Sequence, residues 1–253
     1  MLDTQEAMVF LDLDDTIFQT LRKNPEGRYP ATGTSFMTEA QRLFLDIFLN
    51  SEQILVVPIT ARDTAQYNRT FLSQHPRIKV SVLYYSGLIT TDGLHNKQWH
   101  KHTQSLYQDL TPSIQAMYER TLRLLNSFVI PAQTGIFKLY NVDNYYVTIK
   151  HNNTSVGDYM QSNERLVSEL QGIVEYGYNI YHNDNNISLV PNFLNKKNAV
   201  NYLIEQYRPK LTIGVGDSLS DIGFITQCNY GIFPSNSQIG SLVRRKEESN
   251  AGR

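Results

Sequence analysis

Residues 8–16 read Met8-Val9-Phe10-Leu11-Asp12-Leu13-Asp14-Asp15-Thr16, an apolar run that stops in three acids and a threonine. Four consecutive apolar residues without helical spacing predict a strand buried on both faces, and in open α/β sheets ligands sit just beyond the carboxyl ends of such strands. Asp12 and Asp14 stand two apart, so together they can frame one ion or one phosphate. Crowded carboxylates repel one another at neutral pH unless a cation or a shared proton relieves them, which makes a divalent metal the first expectation. The plainer alternative is an Asp-rich turn that caps a helix.

Three other places carry residues of matching chemistry. Ile54-Leu55-Val56-Val57-Pro58-Ile59 ends in Thr60-Ala61-Arg62-Asp63, a helix begins near Lys196-Lys197-Asn198, and Leu211-Thr212-Ile213-Gly214-Val215 ends in Gly216-Asp217-Ser218-Leu219-Ser220-Asp221. A lysine at a helix N-terminus is opposed by the helix dipole, so something negative is expected beside it. Taken singly, Thr60 is a helix cap, Asp217 and Asp221 are a turn and a cap, and Lys196 is a solvated charge. Together they are carboxylates, a hydroxyl and an ammonium at the ends of buried elements. Other candidates are weaker. Cys228 lacks a sequence-neighbouring His and reads as a small buried hydrophobe. His95, His100 and His102 lie close together with Trp99 but lack the fuller ligand set of a zinc site, so residues 95–108 are expected to be a polar linker with exposed histidines.

The elements that must position these groups follow from periodicity. Residues 17–36 read as a surface excursion bearing Arg22, Lys23 and Arg28. Thr38 and Gln41 have capping-box spacing, and Ala40, Leu43, Phe44, Ile47 and Phe48 share one face of a helix to Asn50. Pro58 cannot donate to a sheet ladder, so the end of its strand is expected to be bulged, with a helix following to about Ser73. A third strand spans Lys79 to Tyr85, and Leu88-Ile89 precedes a turn at Asp92-Gly93. Thr111-Pro112 is expected to open a helix reaching about Val129. Two hairpins follow, 136–140 with 145–150 and 178–182 with 187–190, separated by a helix over 156–171. Tyr140, Tyr145, Tyr146, Tyr176, Tyr178 and Tyr181 are mostly strand packing. The last strand at 211–215 leads to a helix over 222–228, a short strand at 231–233, a helix over 237–244 and a frayed tail. Strand-then-helix alternation at both ends and helix-hairpin-helix-hairpin order between them predict an α/β protein. Its Rossmann-like parallel-sheet core spans residues 1–93 and 191–253, with an inserted α+β domain over 94–190.

The composition is that of an ordinary globular chain: 253 residues, 41% hydrophobic, 19% charged, and a net charge of -1. It gives no global pull toward nucleic acid or an anionic membrane, so any anion binding must be local. No secretory signal or run of transmembrane length is visible, and the single cysteine fits a reducing compartment; the cytoplasm is the expected location.

With the four pieces in this order, the chain resembles the haloacid dehalogenase-like superfamily of phosphohydrolases. Asp12-Leu13-Asp14-Asp15-Thr16 matches the first motif, Ile59-Thr60-Ala61-Arg62 the second, Lys196 the third and Gly216-Asp217-Ser218-Leu219-Ser220-Asp221 the fourth. The second and third motifs are separated by more than half of the chain, which looks like a C2-capped member. The order of the middle third is similar to the C2B cap of the sucrose-phosphatase and mannosylglycerate-phosphatase branch. Ser86-Gly87-Leu88-Ile89 stands where relatives often have Asn-Gly-Ala-Ile. Ala61 where glycine is frequent, Pro58, and Lys197-Asn198 where Lys-Gly is common depart from the pattern.

The resemblance implies an Mg²⁺-dependent phosphatase acting on a small phosphorylated metabolite, a sugar phosphate by analogy with that branch. Asp12 is then the nucleophile, forming an aspartyl-phosphate, and Asp14 the acid and base. Thr60 holds a phosphoryl oxygen, and Lys196, with Lys197 as alternative, offsets charge. Mg²⁺ is bound by Asp12, by Asp14 through its backbone carbonyl and by Asp217, with Asp221 a further ligand or a supporting partner. The cap closes over the site and chooses the leaving group. The rivals are a phosphotransferase or mutase, and a catalytically idle phosphate-binding regulator. The oligomeric state is open.

Overall fold

The computed structural model describes residues 6–20, 23, 29–30, 35–128, 137–151, 156–174, 177–183 and 186–251. Arg22, Arg28, Tyr176, the helix end at Val129, the strand start at Ile136 and the outermost termini lie outside these residues. The chain forms two compact units, one from the residues up to His100 together with those from Asn195 onward, the other from Lys101–Leu194.

Strand β1 (Ala7–Leu11) is buried along its whole length. The excursion after it is in part a small antiparallel sheet: β2 (Gln19–Thr20), β3 (Tyr29–Pro30) and β4 (Ser35–Met37) pair in the order β2-β4-β3. Lys23, on this surface excursion, is exposed and donates to Asp15 Oδ2 at 2.6 Å. Helix α1 (Glu39–Leu49) begins at the expected capping box, with Gln41 N donating to Thr38 Oγ1 and Thr38 N donating to Gln41 Oε1. Its expected face is only partly the buried one: Phe48 is buried, but Leu43 and Ile47 are 51% and 66% exposed, and Leu45 and Leu49 are buried in their place. Gln41 lies on the inward side of this roll. Its Nε2 also donates to Thr16 O at 3.3 Å, which turns Gln41 inward, and Leu45, Phe48 and Leu49 follow it at i+4, i+7 and i+8.

Strand β5 (Ile54–Pro58) keeps unbroken parallel register with β1, from Ala7↔Ile54 to Leu11↔Pro58, so the expected bulge is absent. Ile59 N donates to Leu11 O, so the imide nitrogen of Pro58 points to the opposite side, where pairing starts only at the Ile59↔Val82 bridge and no donor is missed. Helix α2 (Thr64–Asn68) is capped by Asp63 and stops short of Ser73, because Thr70 is extended and a 3-10 turn over Phe71–Gln74 replaces the helix. Strands β6 (Val80–Leu83), β7 (Leu88–Thr91) and β8 (Leu94–His95) form an antiparallel meander, turned at Asp92-Gly93 with both φ angles positive (49° and 77°), as a tight hairpin requires. β6 ends before Tyr85 because Tyr84, Tyr85 and Ser86 take φ of 52°, 58° and 112°. The expected linker is helix α3 (Lys97–Gln108): Asn96 Oδ1 accepts from Trp99 N at 2.9 Å, and Trp99 is buried with its Nε1 donating to Ser86 O.

In the Lys101–Leu194 unit, helix α4 (Ile114–Phe128) starts after Thr111-Pro112. That peptide is cis and outside the helix, and Ser113 Oγ takes the capping role by accepting from Ala116 N. Strands β9 (Phe137–Val142) and β10 (Tyr146–His151), helix α5 (Val156–Gln171), and strands β11 (Tyr178–Asn183) and β12 (Asn186–Pro191) complete the unit. Its sheet is antiparallel in the order β11-β12-β10-β9, with a core that includes Met117, Val147, Leu166, Leu170 and Leu189.

Helix α6 (Lys196–Tyr207) and strand β13 (Leu211–Val215) return the chain to the first unit, followed by α7 (Ile222–Ile225), β14 (Tyr230–Ile232) and α8 (Gln238–Ala251). α7 is shorter than expected, whereas α8 runs through the expected frayed tail. Ser237 starts α8 by accepting from Gly240 N and Ser241 N, and good helix formers from Arg244 to Glu248 sustain it. The central sheet is wholly parallel in the order β14-β13-β1-β5. Met8, Phe10, Leu55, Val57, Val200, Leu203 and Phe224 are among the residues of its core. An α/β parallel core with a separate antiparallel α+β unit is the fold class the sequence pattern predicts. Among the described residues, no helix is long and apolar enough to cross a membrane.

Candidate active site

The first acid lies one residue beyond β1, where Asp12 N donates to Val215 O of the neighbouring strand. The chain then turns within six residues: Ile17 N and Phe18 N both donate to Leu13 O, Asp15 N donates to Phe18 O, and Asp15 takes φ 61°. This turn folds Thr16 back over the strand end. Its hydroxyl lies 2.9 Å from Asp12 Oδ2 and 3.3 Å from Asp217 Oδ1.

Asp217 and Asp221 follow β13, next to β1 in the sheet. A 3-10 turn over Leu219–Asp221 swings Asp221 back, so that its Oδ2 accepts from Ser218 N, Ser218 Oγ and Asp217 N. Gly216 permits this return. A Cβ there would lie 2.6 Å from Asp221 Cβ. Lys196, the first residue of α6, sends its buried Nζ to Asp12 Oδ1 at 2.6 Å and to Asp221 Oδ1 at 2.7 Å. Lys197 is exposed, its backbone N donating to the capping Asn195 Oδ1. Of the two lysines, Lys196 is therefore the one that meets the acids.

Thr60 stands just past β5, on the other flank of β1. Its N donates to Val82 O, its O accepts from Tyr85 N, and its hydroxyl oxygen accepts from Arg62 N at 3.2 Å, which directs the hydroxyl proton elsewhere. Asp14 does not join the other carboxylates. Its side chain is 50% exposed, and both oxygens are taken by the Arg62 guanidinium, at 2.9 Å from Nε and 2.6 Å from Nη2. Thr16, Ser218 and Arg62 also hold the site together, although the sequence offers them only as members of the motifs and with no role of their own. Arg62 had a visible signal in its place two residues after Thr60.

Asp12, Asp217 and Asp221 each bring an oxygen within 4.8 Å of the others, and all three are buried. Among the described residues, no such group forms at His95, His100 and His102. Burial, the largest cause, lifts the Asp12 carboxyl well above its ordinary value, aided by Asp221 and Asp217 and opposed by Lys196. Burial first, then Asp221 and Asp15, push Asp217 up to about 7 against Lys196 and Thr16. Burial disfavours the Lys196 ammonium, but Asp12 and Asp221 outweigh it and raise its pKa. One ammonium thus faces three buried carboxylates, and two of these hold protons more tightly than usual. The deficit is one of positive charge, and the donors are hard oxygens, so the set fits a divalent cation such as Mg²⁺. Cys228 is unsuited to nucleophilic work, since burial raises its thiol to about 11.

No protein-family model matches the chain, and no curated protein matches it in sequence. Solved structures do match its fold. A trehalose-6-phosphate phosphatase C-terminal domain from C. albicans superposes with TM-score 0.56 at 16% identity, over 88% of this chain and 73% of that one. The sucrose-phosphatase of Synechocystis, solved with sucrose and phosphate, gives TM-score 0.57 at 14% identity over 96% and 88%. An IMP-nucleotidase from Plasmodium falciparum gives 0.59 at 14% identity over 94% and 61%. Two of these are named as sugar-phosphate phosphatases and one as a nucleotidase, and the chain has their fold.

Proposed function

We propose that the chain is an Mg²⁺-dependent phosphatase that hydrolyses a small phosphomonoester through an aspartyl-phosphate on Asp12. The observation that carries this reading is the meeting of Asp12, Lys196, Asp217 and Asp221, drawn from three distant stretches of chain to the C-terminal ends of the two central strands of a parallel sheet. The sheet also ends in Thr60 on the adjoining strand. Phosphate monoesters resist hydrolysis so strongly that enzymes supply up to about 10²¹-fold acceleration, which calls for an in-line nucleophile and dense neutralisation of charge. Asp12 Oδ attacks phosphorus as the ester P–O bond breaks, and Asp14 delivers a proton to the departing oxygen. Water then attacks phosphorus, Asp14 accepts its proton, and the bond to Asp12 breaks to release phosphate. Lys196 offsets charge at Asp12, and the Thr60 hydroxyl, its oxygen already engaged by Arg62 N, donates to a phosphoryl oxygen. Asp12, Asp217 and the Asp14 carbonyl would hold the Mg²⁺, with Asp221 beside them as a ligand or as the partner that steadies Lys196. When bound, the ion neutralises phosphoryl charge.

A sugar phosphate is the favoured substrate, because two of the neighbours are named for trehalose-6-phosphate and sucrose, although a third is named for IMP. We read the Lys101–Leu194 unit as the cap domain that selects the leaving group. The test is phosphate release from a panel of sugar, nucleotide and cofactor monoesters, with Mg²⁺ or with chelator and with no added acceptor. Wild type should turn over at least one ester only with metal, and Asp12→Asn should fall by at least about 10³-fold, as loss of a covalent nucleophile demands. Full turnover by Asp12→Asn on every ester accepted by wild type would end this reading, and turnover that needs an added acceptor would replace it with phosphoryl transfer.

A further inference from the structure

Arg62 has no side-chain task in the mechanism above, yet it is held firmly. Its backbone is tied on both sides: the N donates to Thr60 Oγ1, and the O accepts from Tyr84 N at 3.1 Å. Its side chain is 10% exposed and lies over the Phe18 ring, 5.5 Å from the centroid, with Nη2 3.5 Å from Ser35 Oγ. The planar fork then closes on both oxygens of Asp14. A two-point guanidinium–carboxylate contact fixes direction as well as distance, which a lysine ammonium cannot do.

Asp14 needs such a hold. It is half-exposed, so an untethered carboxylate would be free to take several side-chain rotamers in water. A carboxylate offers about four lone-pair positions, of which the fork fills two, leaving room on the same group for the travelling proton.

We propose that Arg62 is a positioning residue that acts on the ester through Asp14. The inference rests on the reading of Asp14 as acid and base. In the first displacement the Asp12 oxygen bonds to phosphorus, the ester P–O bond breaks, and the Asp14 proton goes to the leaving oxygen. In the second, water oxygen bonds to phosphorus, the P–O bond to Asp12 breaks, and the water proton returns to Asp14. Only the first step depends on the leaving group. An alkyl alkoxide needs the proton to depart, whereas a nitrophenolate leaves without it, and kcat/KM reports this step.

The test compares kcat/KM on an alkyl phosphate and on p-nitrophenyl phosphate for wild type, Arg62→Gln, Arg62→Lys, Asp14→Asn and the Arg62→Gln/Asp14→Asn double variant. Thermal melts confirm folding. Arg62→Gln should lose about 10²-fold on the alkyl ester, the lower end of what acid catalysis supplies, and under about 5-fold on the aryl ester. Arg62→Lys should fall between wild type and Arg62→Gln with the same selectivity, keeping the charge but not the fork, and it serves if Arg62→Gln fails to fold. The double variant should be no worse than Asp14→Asn on the alkyl ester, because both changes remove one function. Equal losses on the two esters, or a double variant whose losses multiply, would show Arg62 acting directly on phosphate or only on the fold, and would overturn the inference alone. An Asp14→Asn variant with the wild-type ratio of the two esters would overturn the reading of Asp14 and this inference with it.

Discussion

Lys196 is the only cation within hydrogen-bonding distance of Asp12 and Asp221 among the described residues, so its removal leaves two buried carboxylates without a cation bonded to them. Taking one member from a buried ion pair costs about 3–5 kcal/mol, far more than a surface pair is worth. Lys196→Met is therefore expected to lower unfolding free energy by about that amount, read by urea titration, whereas Lys197→Met, at an exposed position, should change it by less than about 0.5 kcal/mol. Equal effects at the two positions would contradict the geometry. At this scale the sequence was informative about residue type but not about pairing. Four acids, a threonine and a lysine are legible as a set because each ends a recognisable apolar element. That Asp14 would face Arg62 rather than the other acids was not, since the side chain is directed by the packing of Arg62 on Phe18 and by Ser35, which lies well along the chain from both.

Elements were easier to find than to orient. Capping box, apolar run and Asp-Gly turn are local signals, and α1, β1, β5 and the β7–β8 hairpin appear where those signals stand. The roll of α1 differs from the expectation because apolar residues lie on more than one of its faces, and the choice between them is made by tertiary packing, in which Leu45, Phe48 and Leu49 are buried and Gln41 Nε2 meets Thr16 O. Leu45→Ala should thus cost about 2–5 kcal/mol through lost transfer energy and a residual cavity, and Leu43→Ala, at a half-exposed site, about 0.5 kcal/mol or less. Chemical denaturation of the two variants decides it. The reverse ranking would mean that the helix presents the face its periodicity suggests. The helix missed at α3 has a related cause: its surface is polar, and what holds it is the Asn96 cap together with a single buried indole, Trp99, bonded to Ser86 O.

At the scale of the molecule, the net charge of -1 conceals a cluster of three buried acids at the C-terminal end of the parallel sheet. An unfolded Asp ionises near 3.8, but folded Asp217 keeps its proton to about 7, and Asp12 is raised in the same direction. The metal-free folded state therefore binds these protons more tightly than the unfolded chain. The Asp217 contribution is most favourable below about pH 4 and is lost progressively as pH rises to about 7, and the raised Asp12 carboxyl acts in the same direction. The raised pKa of Lys196 does not alter this window, because an ordinary lysine is already charged throughout it. Mg²⁺ competes with the same protons, so it should stabilise far more at pH 7.5 than at pH 5. At a hundredfold excess over its dissociation constant the gain is about 2.7 kcal/mol, or about 2–4 °C in Tm for each kcal/mol in a chain approaching this length. Calorimetric melts with Mg²⁺ and with chelator at the two pH values measure it directly, and Asp217→Asn should flatten both the metal-free pH slope and the Mg²⁺ response. A wild-type Mg²⁺ shift of equal size at pH 5 and pH 7.5 would mean that the buried carboxylates are not where the ion binds.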